Sequence, residues 1–159
     1  MPINNPTKKQ LQALKTEFDA LRQGKESLLA MVDDAEVPEA VYNSNAIENS
    51  TLTLKETEKI LLEMEVSRDV SVREMFEAKN LARVAAYIRD KSKETEINKE
   101  TILLLHRMLI TGIDDGIAGR FRMHGEYVRV GTHIAPAPEN VEGMIDATLL
   151  EYSSELSAY

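Results

Sequence analysis

Apolar residues recur at helical spacing along most of this 159-residue chain, and the pattern fails in one place. Leu11, Leu14, Phe18 and Leu21 fall on one stripe, followed across Gly24 by Leu28, Leu29 and Val32. Pro38 suits the first turn of a further helix that carries Val41, Tyr42 and Ile47 and ends near Asn49. Thr53 with Glu56 forms a capping-box pattern ahead of Ile60, Leu61 and Met64. Ser71 with Glu74 repeats it ahead of Val72, Phe76, Val84, Tyr87 and Ile88. Asn98 caps a helix with Ile102, Leu103, Leu105, Leu109 and Ile110, and Gly112 supplies its stop. Residues 112–138 then hold five of the seven glycines and two of the five prolines. Within them Tyr127-Val128-Arg129-Val130 alternates like a strand, with Thr132-His133-Ile134 as its hairpin partner around Gly131. From Pro138 a last helix turns Val141, Met144, Ile145, Leu149 and Tyr152 inward. The expected fold is mainly α with one small β-hairpin, and a long irregular segment inside such a domain is usually functional or a lid.

Composition narrows the function. A net charge of -8 opposes generic nucleic-acid binding, which needs a basic footprint. The absence of cysteine excludes a disulfide framework and a Cys-based zinc site and suits a reducing cytosol. No apolar run approaches the ~20 residues that span a bilayer, and the first residues do not form a signal peptide. The chain therefore reads as cytoplasmic, without a membrane partner. The apolar pattern of the last helix is still running at Tyr159, which predicts that the chain is a fragment of a longer protein.

The densest functional signal lies in Ser44-Asn45-Ala46-Ile47-Glu48-Asn49 and the Ser50-Thr51-Leu52-Thr53-Leu54 that follows. Asn and Ser compete for backbone hydrogen bonds and disfavour helix interiors, so their accumulation on a helix suggests a polar contact surface. From the residues alone, Glu48 is either a solvated helix-end carboxylate or a functional one, Ser44 a local hydrogen-bonding hydroxyl, and Asn49 a helix C-cap. Arg120 and Arg122, near the glycine-rich loop, either brace that loop or touch a phosphate. Asp114-Asp115-Gly116 lacks the alternating oxygen ligands of a calcium loop and reads as a turn. His106 reads as a partly buried core histidine.

The 44–49 block fits the S/T-x-x-x-E-G/N inhibitory motif of Fic-domain proteins, in the arrangement where the motif precedes the Fic core. Gly119-Arg120-Phe121-Arg122, Val128-Arg129-Val130-Gly131 and His133-Ile134-Ala135-Pro136-Ala137-Pro138 resemble that family's flap, a hairpin over the active site. The resemblance covers roughly residues 35–159. It implies an N-terminal helical region over 1–34 and the N-terminal, incomplete portion of a Fic-type helical domain over 35–159, with an inhibitory helix at about 38–49 and a flap at about 119–138. The implied activity is AMP transfer from ATP, with Mg²⁺, to a Ser, Thr or Tyr of a protein target. The implied regulatory residues are Ser44, Glu48 and Asn49, with Glu48 filling the space of the ATP γ-phosphate. Val130, Gly131, Thr132, His133 and Ile134 are the implied target-docking residues.

The family signature, H-x-F-x-D/E-G/A-N-G/K-R-x-x-R, does not occur in these residues: none of His106, His124 and His133 is followed by it. That predicts no catalytic and no metal-binding residue within the chain and no activity by itself. Two readings stay open: the autoinhibitory, flap-bearing part of an adenylyltransferase, or a non-catalytic helical module that restrains a separate Fic-core partner. A homo-oligomer is compatible with either.

Overall fold

The computed structural model describes residues 5–63 and 69–157. Helices α1 (Asn5–Leu21) and α2 (Glu26–Ile47) come first, then α3 (Leu54–Glu58) running into a π-helical turn over Lys59–Glu63. Helices α4 (Val72–Lys91) and α5 (Lys99–Ile110) follow, then strands β1 (Arg129–Val130) and β2 (His133–Ile134), and finally α6 (Pro138–Ser157). The fold is mainly helical with a single two-stranded antiparallel sheet. Two compact units divide the chain at Val37 and Pro38. Among the described residues no helix is long and apolar enough to cross a membrane.

Local side-chain chemistry starts the helices where the sequence indicates. Thr53 accepts from the Glu56 N–H while Glu56 accepts from the Thr53 N–H, and Ser71 and Glu74 do the same for α4. Asn98 accepts from the Thr101 N–H and opens α5. Gly112 stops α5 with φ +77°, and a Cβ there would lie 2.7 Å from the Phe76 ring, so two reasons exclude a side chain. The expected position of Met64 falls outside the described residues.

Three expectations need correction. Pro38 does not begin a helix: it lies inside α2, which runs unbroken from Glu26. Proline removes one rung of the ladder, yet the turns on either side continue and the Pro38 ring is buried, which offsets the loss. The hairpin is shorter than expected. The strands pair Arg129 with Ile134 and Val130 with His133, one more main-chain bond runs from the Ala135 N–H to the Val128 carbonyl, and Thr132 sits in the turn, not in a strand. Gly131 has φ +60° and Thr132 does not share the left-handed region, the pattern of a type II′ turn with glycine first. Finally, several residues on predicted inward stripes are exposed: the α1 stripe Leu11, Leu14, Phe18 and Leu21, then Val72 and Ile88 on α4, and Met144 and Tyr152 on α6. On α6, Pro138 is buried and Val141, Ile145 and Leu149 are partly covered.

The core of the second unit gathers Val41 of α2, Leu52, Ile60 of the π turn, and Ala78 and Val84 of α4. Two buried polar side chains are satisfied there. Thr57 Oγ1 donates to the Thr53 carbonyl, and Asn80 Nδ2 donates to the carbonyls of Leu109 (2.9 Å) and Thr111 (2.8 Å). The Asn80 bonds tie α4 to the last turn of α5, where carbonyls lack helical partners. Lys99 Nζ bridges Glu142 (2.8 Å) and Asp146 (3.0 Å), joining the start of α5 to α6.

Candidate functional site

The end of α2 is shaped by one residue in an unusual conformation. Asn49 has φ +63°, the sole non-glycine with positive φ among the described residues. Its N–H donates to the Ala46 carbonyl, and the Ser50 N–H donates back to the Asn45 carbonyl at 3.1 Å. Those two bonds make a Schellman motif with Asn49 at the left-handed position. Asparagine and glycine tolerate that conformation and most residues do not, so a motif ending in E-G/N has a backbone reason for its last letter. Glu48 is thereby the C-cap. A carboxylate is disfavoured at the negative end of a helix, so its presence there adds nothing to helix stability.

Beside this cap lies a cavity of about 390 Å³. Ser44, Asn45 and Glu48 of α2 form one wall, and Arg73, Glu77 and Leu81 of α4 a second. Leu109, Ile110 and Ile113, at and just beyond the end of α5, close it with apolar surface. Arg73 is the one cation at this rim and is already paired with Glu77 at 2.8 Å. Glu48 has no side-chain hydrogen bond or ion pair among the described residues, and neither has Ser44, which lines the same cavity. Asn45 is 8% exposed and its Nδ2 has no partner among the described residues. The cavity thus carries two carboxylates and one neutralised cation, a setting that repels an anion and would accept a guanidinium or ammonium.

The second predicted site, the hairpin, stands on a braced base. Arg120 Nη1 and Nη2 donate to the two oxygens of Glu126, each at 2.7 Å, and Glu126 also accepts from the Met123 N–H at 2.6 Å. The Arg120 guanidinium, with that N–H, holds the Glu126 acid down to about 2. Arg122 Nη2 donates to the Pro136 carbonyl at 2.8 Å, fastening the return strand. Both arginines therefore brace the loop. Above this base Gly131, Thr132, His133 and Ile134 are exposed, with Ile134 at 69%. None of the residues lining the Glu48 cavity belongs to the hairpin.

Other singled-out residues have structural roles. His106 Nδ1 accepts from the Gly119 N–H at 3.2 Å, which fixes the proton of the neutral ring on Nε2. Asp114 and Asp115 accept from the N–H groups of Gly116 and Gly112 and make a turn. Among the described residues no three His, Asp or Glu side chains converge closely enough to hold a metal ion. Sequence reasoning missed Arg73 and Glu77 at the cavity, because nothing local in the sequence links α4 to the end of α2.

No protein-family model matches the chain. It is 31% identical over 109 residues to the protein adenylyltransferase Fic of Nematostella vectensis, spanning 67% of this chain and 25% of that protein. With the protein of the same name from Drosophila erecta it shares 30% over 139 residues, 86% of this chain and 28% of the relative. Among solved structures, Fic-1 (residues 134–508) from C. elegans superposes with a TM-score of 0.70 at 26% identity, over 89% of this chain and 41% of that one. A Fic domain containing signaling protein from Bacteroides thetaiotaomicron has the same fold, with a TM-score of 0.76 over 92% of this chain and 57% of that one. The chain thus spans less than a third of each of these two curated relatives.

Proposed function

The chain belongs to the Fic family, and from there we propose that it forms the N-terminal, autoinhibitory and flap-bearing part of a Fic-type protein adenylyltransferase, with Glu48 as the restraint. The observation that carries this reading is a free carboxylate on a fixed backbone. Glu48 is the C-cap of a Schellman-terminated helix, at the mouth of a cavity whose one lining cation is already paired. A side chain in that position is available to a guanidinium brought in by another segment. Once paired, it fills with negative charge the space an ATP phosphate needs.

In this reading Ser44 and Asn49 serve Glu48 differently: Asn49 sets the backbone, and Ser44 offers a hydroxyl one turn earlier on the same wall. The hairpin, with residues 131–134 exposed above an arginine-braced base, is the surface on which an extended segment of the protein target would lie. The strand edges there offer main-chain groups for pairing. ATP is the AMP donor and a Ser, Thr or Tyr hydroxyl of a target protein the acceptor. The place of action is the cytoplasm, in keeping with a cysteine-free sequence. A chain that restrained a separate Fic-core partner would use the same carboxylate.

The test is AMP transfer by the protein as its gene encodes it, alone and mixed with a Fic-core chain, with ATP and Mg²⁺. Glu48→Gly is expected to raise the rate at least about ten-fold, the equivalent of ~1.4 kcal/mol off the barrier. Equal rates for both forms, in both settings, would overturn the assignment of Glu48.

A further inference from the structure

The carboxylate of Glu74 serves two elements at once. As the third residue of α4 it closes that helix's capping box, and its Oε2 accepts from Ser71 Oγ at 2.7 Å. Its other oxygen is not needed for that purpose and turns to a different part of the chain. Oε1 accepts from the Thr51 N–H at 2.8 Å, from Thr51 Oγ1 at 2.6 Å and from Ser50 Oγ at 3.4 Å. Ser50 is the residue whose own N–H closes the cap of α2 onto Asn45. Two residues further, Leu52 is buried in the core.

The exit of α2 is therefore held at both ends of a three-residue span, Asn49 to Thr51. The Schellman bonds hold Asn49 and Ser50 from the helix side, and Glu74 holds Ser50 and Thr51 from α4. Glu48 sits just before this span with no side-chain partner, so its place at the cavity mouth depends on its backbone alone. No cation takes part in the bracket. Thr51 and Ser71, through hydroxyl and backbone donors, hold the Glu74 acid down to about 2, so at neutral pH it is ionised and purely an acceptor.

We propose that Glu74 is the positioning residue for Glu48, fixing the α2 exit so that the Glu48 carboxylate stays at the mouth of its cavity. This deepens the restraint reading above and rests on it. Loosening the bracket should release the restraint without touching Glu48 itself.

Amide exchange and AMP transfer test it together, using Thr51→Val and Glu74→Gln. Thr51→Val removes one donor and leaves α4 untouched. Glu74→Gln keeps an acceptor suitable for a capping box, but an amide cannot present oxygen to Ser71 and to Thr51 at once. In both variants the amides of Asn49 and Ser50 are expected to exchange about ten-fold faster, the scale of one net hydrogen bond, while α4 beyond its first turn is unchanged. Unchanged protection at Asn49 and Ser50, or loss of protection all along α4, would overturn the proposal. In the protein as its gene encodes it, both variants should raise AMP transfer several-fold when Glu48 is present and add nothing to Glu48→Gly. Activation that persists on top of Glu48→Gly would also overturn it. If Glu48→Gly itself fails to activate, the restraint reading falls, and the exchange measurement still decides whether Glu74 positions the α2 exit.

Discussion

The α2 exit and the hairpin base solve a similar problem with different chemistry. Each uses one carboxylate, held near 2, to pin an irregular segment between regular elements. At the α2 exit Glu74 is met only by neutral donors, the hydroxyls of Ser50, Thr51 and Ser71 and the N–H groups of Thr51 and Ser71. At the hairpin base Glu126 is met by a guanidinium in a two-pronged ion pair. Bonds from neutral donors respond little to salt, whereas a half-buried ion pair near the surface is partly screened by it. On the proposed reading the difference suits what each segment presents: a single carboxylate beside the α2 exit, and a hairpin whose residues 131–134 are exposed.

Perturbing the bracket should have the largest effect. Glu74→Ala removes both the capping box of α4 and the tether to Thr51, and is expected to cost about 2 kcal/mol. Urea denaturation at low and at 0.5 M salt checks this, and the loss should be the same at both. A salt-dependent loss would erase the contrast between the two regions. Next comes the cap: Asn49→Val forces a β-branched residue to φ +63°, at a cost of roughly 1–2 kcal/mol, whereas Asn49→Gly should be neutral or slightly stabilising. If both substitutions behave alike in thermal melts, the left-handed position is not what selects the residue.

At the hairpin, Glu126→Gln should speed proteolytic cleavage within residues 123–128 at low salt and make less difference at high salt. The smallest effect is on pH. Both carboxylates are lowered in the folded state, so the stability they contribute is fully present above the ordinary carboxylate value near 4.5 and is lost as pH falls from there toward 2. Acid titrations of stability should show that loss, with the Glu126 share shrinking in salt and the Glu74 share persisting.

What could be read from the sequence divides along the same line between local and distant contacts. The capping pairs Thr53 with Glu56 and Ser71 with Glu74, the Asn98 cap and the Gly112 stop all depend on residues within a turn of each other. Each appears in the structure at its expected place. The end of α2 near Asn49 is legible for the same reason, although the C-cap itself is Glu48 and Asn49 takes the left-handed position just beyond it. Pro38 misled because its local preference for a first turn lost to the continuity of a helix that buries its ring. Apolar periodicity located stripes on α1, α4 and α6 but carries no information on how widely each is covered, hence the exposed Leu11, Val72 and Met144. The second oxygen of Glu74, 23 residues from Thr51, and the rim formed by Arg73 and Glu77 are tertiary facts that no local spacing encodes.

The shortness of the hairpin bears on how long a target could stay. β2 is two residues long, so an extended peptide laid along it would gain two or three main-chain hydrogen bonds. At ~1 kcal/mol net each, that falls short of the ~4 kcal/mol of millimolar affinity. On the proposed reading such an encounter would be brief and nearly indifferent to side-chain identity. Selectivity for a target would then rest on how often the target is brought there, through contacts made elsewhere on its surface, and not on how well the hairpin reads its sequence.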